Sequence, residues 1–520
     1  MTNTRTGGLA CFVSAMLLLV SLSLDAAGLS DADLLDMPIS ELQQRLDSGE
    51  LTSLQLVEMY LKRIAAYDQK GPKLNTISAH NDKALERAKQ LDQERRLRGS
   101  RGPLHGIPIL IKDNYETVGM QTAVGSNVMK GWVSKHDATI VKRLRESGAI
   151  IMAKTNTHEF AMGHHTRGSL FGHTRNPYAL DRVPGGSSGG TGAAVAANFA
   201  PAGFGSDTCG SIRVPAAFNA LVGMRSTVGL TSRTGIFPLS ASWDTGGPLT
   251  HNVSDLAIIY DAIVGYDPSD PATAGSVSHI PDSYTTYLDE NGLQGQRIGL
   301  LSDLLVVEPN DERVASFIRN AGRVMEKAGA TVVDIRIPGL LDLMADDFGG
   351  FYTIIVDVAR DMNTWLRGHP TAPVRTVGDI VNSSLLTDEQ IRGNLKVAME
   401  HATTDSAEYV SLQNKRRLIR QKVLVAMADA KVDTLLYPTV RQVPAMVKEE
   451  RQPGINCFLS GHINFPAISL PAGFTKEGLP VSLEIMAREW QEPLLIKLAY
   501  AYEQLSTHRR LPGTTPALKH

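Results

Sequence analysis

The chain has 520 residues, 42% of them hydrophobic and 20% charged, with a formal net charge of −2. That length can bury a large core. A near-neutral balance, with no basic stretch interleaved with aromatics, excludes a nucleic-acid or acidic-polymer binder. Three cysteines in so long a chain make no disulfide framework.

The first 28 residues differ from the rest. Arg5 supplies a positive start, Leu9 to Leu24 an apolar run, and Ala26-Ala27-Gly28 a small-residue end. The run is too short for a membrane anchor, so the expectation is a cleaved export signal. Residues 29–520 then form one exported domain, periplasmic or secreted, with no stable membrane insertion. Next, Ser40 with Gln43 and Thr52 with Gln55 have the spacing of capping boxes opening two amphipathic helices. Leu104 to Lys112 is a continuous apolar strand signal that ends in a lysine. Helical stretches are expected over Asp137–Ser147, Asp255–Val264, Asp311–Lys327 and Glu492–Leu505. Strands are expected over Ile150–Ala153, Arg297–Leu301, Thr331–Ile335, Thr434–Tyr437 and Val481–Ile485. Helices alternating with apolar strands predict an α/β/α layered domain with a large mixed sheet. Residues 340–431 are the least patterned and are expected to supply helices over the substrate site.

The most informative segment runs from Pro184 to Pro215. Glycine is costly to fix, so the glycines of Gly185-Gly186-Ser187-Ser188-Gly189-Gly190-Thr191-Gly192 need a reason. A flexible linker is one, but apolar Thr191–Ala200 and the strand-like Ala202–Asp207 follow at once. A phosphate loop needs a lysine after its last glycine, and none is present. A nucleophile elbow needs a strand ahead of it, which Asn176–Pro184 does not provide. Ser211 has the better nucleophile setting, because it sits between the Ala202–Asp207 strand and a helical stretch over Ile212–Leu221. Backbone N–H groups converge at such a turn. A lysine at a strand end is ordinarily solvated; beside two unusual serines, Lys112 reads as a buried base.

In these motifs the chain resembles the amidase signature family. The resemblance rests on the Gly-Gly-Ser-Ser-Gly-Gly run, on Ser206-Asp207 followed by Gly210-Ser211-Ile212-Arg213 and on Gly106-Ile107-Pro108 leading to Lys112-Asp113. Ala153-Lys154-Thr155-Asn156, Asp244–Pro248 and Phe465–Pro471 match as well, and the likeness runs from about Leu35 onward. It implies a single-domain amidase fold, a cis peptide entering Ser187, and a triad of Ser211 as nucleophile, Ser187 as bridge and Lys112 as base. The N–H groups of Thr208, Cys209, Gly210 and Ser211 would hold the oxyanion, and Ala161 and Met162 would wall the acyl site. Neither metal nor cofactor is implied. The substrate would be a small-molecule or peptide amide. Cys209 stands where glycine is usual, a strained place for it if φ is positive there, and His251 where arginine is common. The sequence leaves open whether Cys209 pairs with Cys457.

Other constellations carry less. His158, His164 and His165 have the wrong spacing for a helical zinc motif. Asp207 and Arg213 are expected to brace the turn as an ion pair, while Asp113, facing the opposite side of its strand, is no counter-ion for Lys112. Two alternatives remain: the glutaminase subunit of a tRNA-dependent amidotransferase, whose loop Thr155–Gly163 echoes, and a non-catalytic binding protein on the same scaffold.

Overall fold

A computed structural model describes residues 29–345, 352–401 and 406–519. The expected export signal lies outside the described residues. Among the described residues there are thirteen strands: β1 (Ile77–His80), β2 (Pro108–Lys112), β3 (Ile150–Thr155), β4 (Arg167–Gly168), β5 (Gly172–His173), β6 (Ala202–Asp207), β7 (Val222–Arg225), β8 (Thr245–Thr250), β9 (Arg297–Leu301), β10 (Thr331–Ile335), β11 (Thr434–Pro438), β12 (Ala467–Phe474) and β13 (Pro480–Ala487). Eleven form one sheet in the order β1-β3-β2-β6-β8-β7-β12-β13-β11-β9-β10, and β4 pairs with β5 apart from it. The sheet is mixed. β2 runs parallel to β3 and β6, β9 runs parallel to β10 and β11, and the strands between β6 and β11 pair antiparallel.

Period-two alternation along the strands sorts side chains into two cores. Leu436, Ile485 and Ile468 pack on one face with Ile318, Met325 and Leu498. Their chain neighbours Leu435, Met486 and Ala467 pack on the other with Ile419, Val423 and Met427. Helices Glu312–Lys327 and Glu492–Ser506 therefore cover one face, and helix Ala407–Asp429 the other. This is the expected α/β/α arrangement.

Local expectations met mixed outcomes. Thr52 and Gln55 form a capping box at the start of helix Ser53–Tyr67. Ser40 and Gln43 do not. Their helix, Ile39–Ser48, is entered through Pro38, and the Gln43 amide instead donates to the carbonyls of Pro103 and His105. A tertiary contact outcompeted the local cap. The two helices of the glycine-rich segment are shorter than their apolar runs, spanning Gly189–Ala196 and Arg213–Phe218. Within 340–431 the structure places helices Leu340–Met344, Tyr352–Gly368, Val377–Asn382, Glu389–Glu400 and Ala407–Asp429. No helix among the described residues is long and apolar enough to cross a membrane.

Candidate active site

Three neighbouring pieces of the sheet build the site. β2 ends in Lys112, and its parallel neighbour β6 ends in Ser206-Asp207. The glycine-rich loop lies alongside, because helix Gly189–Ala196 packs against the end of β3. A Cβ on Gly190 would come within 2.2 Å of the Asn156 carbonyl oxygen, so only glycine permits that approach. The same loop carries the cis peptide between Gly186 and Ser187.

Lys112 is fully buried. Its Nζ donates to Ser187 Oγ at 2.7 Å and to Ser206 Oγ at 2.9 Å. Asn114 Nδ2 also donates to Ser206 Oγ, at 3.0 Å. Burial pulls the ammonium down to about 7, against the upward pull of the Asp207 and Asp244 charges. Desolvation is the physical cause: among the described residues no carboxylate forms an ion pair with Lys112, so little offsets loss of water. Asp113 points elsewhere, accepting from the Gly125 N–H at 3.0 Å and lying 4.0 Å from Lys154. Ser206, read from the sequence only as part of a motif, and Asn114 are members of this cluster to which the sequence assigned no role. Their signals were the Ser206-Asp207 motif and a position just past Lys112-Asp113 at the end of β2.

The Ser211 turn hangs on Asp207. Its carboxylate accepts from the N–H of Gly210 at 2.7 Å, of Ile212 at 3.1 Å and of Arg213 at 3.4 Å. Two guanidiniums complete the clamp: Arg213 Nη2 at 3.1 Å and Arg225 Nη1 at 3.3 Å, all three side chains fully buried. Burial alone would push the carboxyl up, but these cations outweigh it and hold it well below the usual carboxylate range. Arg213 reaches on to Glu484 at 2.5 Å, which accepts from the Tyr437 hydroxyl at 2.8 Å. Asp207 and Arg213 thus form the expected brace, within a wider network.

In this turn the Gly210 N–H donates to the Asp207 carboxylate. The N–H groups of Thr208, Cys209 and Ser211 donate to no described residue. Positive φ falls on Gly210 (+83°) rather than on Cys209. Cysteine at 209 is therefore unstrained, and its sulfur is bonded to Cys457 with the Cα atoms 5.1 Å apart. A Cβ on Gly210 would sit 2.6 Å from Cys457 Cβ, which keeps the position glycine.

A cavity of about 340 Å³ opens beside this turn, lined by Ser211, Thr208, Cys209, Ala161 and Met162 among others. Ser187 and Lys112 are wholly buried, while Ser211 keeps 6% exposure at the cavity wall. The carbonyl of Ser211 accepts from the Ser188 N–H at 3.3 Å, placing the two serine segments side by side. Phe160 and Ala161 both adopt left-handed backbone, φ +52° and +59°. Such strain in non-glycine residues persists where surrounding packing enforces it. Among the described residues no group of three or more His, Cys, Asp or Glu side chains is gathered as a metal would need, and two of the three histidines make backbone contacts. His158 Nδ1 accepts from the His165 backbone N–H at 3.3 Å, and His164 Nε2 donates to the Cys209 carbonyl at 2.9 Å. His251, away from the site, donates to the Val195 carbonyl at 2.7 Å.

A large mixed sheet that delivers a buried lysine to a serine on a cis peptide, next to a clamped serine turn, defines the class. The chain belongs to the amidase signature family: the family model described as Amidase matches residues 55–496. Among curated relatives, a glutamyl-tRNA(Gln) amidotransferase subunit from Thermoanaerobacter pseudethanolicus is 34% identical over 497 residues, covering 92% of this chain and 98% of its own length. Among solved structures, the peptide amidase of Stenotrophomonas maltophilia matches with a TM-score of 0.84 and 36% identity, over 92% of this chain and 98% of that one. The corresponding glutamyl-tRNA(Gln) amidotransferase subunit from Thermotoga maritima matches with a TM-score of 0.71 and 27% identity, over 94% and 98%.

Proposed function

We propose that the chain is an exported amidase that hydrolyses a carboxamide C–N bond through an acyl-enzyme on Ser211. The observation that carries this reading is the Lys112 Nζ, fully buried and 2.7 Å from Ser187 Oγ. Two donors, Lys112 and Asn114, converge on Ser206 Oγ. That contact fixes one N–H of a neutral amine and leaves its lone pair for Ser187. Lys112 takes a proton from Ser187 as Ser187 takes one from Ser211, and Ser211 Oγ bonds to the amide carbon. The N–H groups of Thr208, Cys209 and Ser211 face the developing oxyanion, with Gly210 supplying the turn rather than a donor. The relay run backward protonates the leaving nitrogen as the C–N bond breaks, releasing ammonia or an amine. Water, deprotonated through the same relay, then attacks the ester and releases the acid. No step requires a cofactor.

Likeness to a peptide amidase over nearly the whole chain supports a peptide or peptide-like amide as substrate. The relatives named as parts of an amidotransferase favour a second reading, a glutaminase acting with partner subunits. The Cys209–Cys457 disulfide weighs against it, because such bonds persist in oxidising compartments and are rare in the cytosol. It supports export, as does the pattern of residues 1–28. Purified alone, the chain is expected to hydrolyse peptide C-terminal amides and to form a fluorophosphonate adduct on Ser211. Ser211→Ala is expected to abolish both while leaving the thermal midpoint unchanged. Turnover of glutamine only once partner proteins are supplied would favour the second reading, and activity retained by Ser211→Ala would defeat the nucleophile assignment. N-terminal sequencing of protein recovered from the periplasm or medium, beginning near residue 29, tests export.

A further inference from the structure

The cavity that holds Ser211 is also lined by Arg441, on the loop after β11. Two of this guanidinium's three nitrogens are fixed. Nε donates to the Pro309 carbonyl at 3.3 Å and Nη1 to Asn456 Oδ1 at 2.9 Å. Asn456 is itself anchored, donating through Nδ2 to the Pro438 carbonyl at 2.7 Å and through its backbone to the Thr439 carbonyl at 3.2 Å. Nη2 donates to no described residue, and among the described residues no carboxylate forms an ion pair with Arg441. Burial pulls the guanidinium down, with Glu308 opposing at longer range. A partly desolvated cation without a paired anion is costly unless a ligand completes it. Arginine's planar fork, already oriented by two bonds, suits an oxygen acceptor.

One hydrogen bond, from Arg441 to Asn456, and a run of covalent links then connect this group to the Ser211 turn. Asn456 precedes Cys457, Cys457 is bonded to Cys209, and Cys209 lies two residues before Ser211. The Arg441 head group and the Ser211 turn are thus braced against each other.

We propose that Arg441 is a specificity-determining residue that binds an oxygen acceptor, best a carboxylate, on the acyl part of the amide substrate. Its distance from the scissile carbonyl is set by the Asn456 contact and the Cys209–Cys457 bond. The inference rests on the amidase reading and adds the substrate feature that reading lacks. Gln390 and Asn394, from helix Glu389–Glu400, line the same cavity and offer neutral polar contacts beside it; of the other charged liners, Glu450 disfavours an anion placed near itself and Arg451 is a second cation.

Three matched amides test it: N-succinyl-phenylalaninamide, N-acetyl-phenylalaninamide and 3-phenylpropanamide, which offer a carboxylate, a carbonyl and no acceptor. The wild type is expected to rank them in that order by kcat/KM, mainly through KM. In Arg441→Met the succinyl-to-phenylpropanamide ratio is expected to fall about tenfold or more, as loss of one charge-assisted bond implies. Arg441→Lys is expected to restore part of it. An unchanged ratio, or an equal loss on all three amides, would mean a structural role and overturn the proposal. Should Arg441→Met fail to fold, Arg441→Gln carries the same comparison, with Arg451→Met as the control for the cavity's other cation. Raising salt is expected to raise KM for the succinyl amide more than for 3-phenylpropanamide, and equal response overturns the inference. If the wild type hydrolyses none of the three, the hydrolase reading fails separately. Calorimetric binding of N-succinyl-phenylalaninamide to wild type and variant then tests Arg441, equal affinities overturning it.

Discussion

Asp207 accepts a hydrogen bond from the backbone N–H of Gly210 at 2.7 Å, closing the turn two residues before its clamp reaches Ile212. The contact converts a flexible glycine turn into a rigid seat for Ser211. Arg213 and Arg225 keep the carboxylate charged in an interior where burial alone would neutralise it.

Removing that charge should therefore cost both stability and rate. Asp207→Asn leaves Arg213 and Arg225 short of their partner, and breaking a buried pair costs about 3–5 kcal/mol. The expected result is a clearly lowered midpoint in urea and a fall in kcat of roughly a hundredfold or more, since the donors around Ser211 lose their alignment. Unfolding curves and amide hydrolysis measured on the same preparation check both.

The Lys112 amine sets a pH dependence. Burial lowers it to about 7, so it is neutral above that pH and protonated below. Only the neutral amine accepts a proton, so kcat/KM should be full above about 7 and fall about tenfold per unit below it. Lys112→Ala is expected to reduce kcat roughly a thousandfold or more. An acid limb near the ordinary carboxylate range instead would assign the base elsewhere.

Ser206 acts through Lys112, which makes it a positioning residue. Ser206→Ala removes one acceptor of the amine while Ser187 remains. The expected outcome is a drop in kcat of about tenfold with KM little changed, the split that separates orientation from substrate binding. Ser206→Thr, which keeps the hydroxyl, should recover part of it.

The Cys209–Cys457 bond closes a loop of 248 residues across the fold. The double variant Cys209→Ala/Cys457→Ala is expected to lose about 2–5 kcal/mol in denaturant unfolding. Its effect on activity should exceed that of a surface change of equal stability cost, because the bond borders the Ser211 cavity. Gly210→Ala tests the same corner. Positive φ and the contact with Cys457 forbid the methyl, so loss of about 1–3 kcal/mol and of activity is expected.

Much of the fold was legible in the chain itself. Strands Arg297–Leu301 and Thr331–Ile335 and the helix ending at Lys327 follow the apolar periodicity, because local packing on the sheet dictates them. The Ser40–Gln43 cap failed because Gln43 found two carbonyls sixty residues away, which no local rule contains. Ser206 stood in a recognised motif, yet no role followed from the sequence. Its role depends on the neighbour that β6 acquires across the sheet.

From sequence alone came the layered α/β class, the serines in their glycine-rich settings, the lysine closing an apolar strand and the Asp207–Arg213 brace, since each follows from spacing or composition within a short stretch. Only the tertiary structure decided that Lys112 is stripped of water beside Ser187, that Gly210 rather than Cys209 carries the positive φ, that Cys209 meets Cys457, and that Arg441 shares a cavity with Ser211. Apart from the Gly210 φ, which belongs to the local Asp207 turn, those depend on segments far apart in the chain. Their approach is fixed by how the whole sheet is ordered and packed, and no stretch of sequence encodes it by itself.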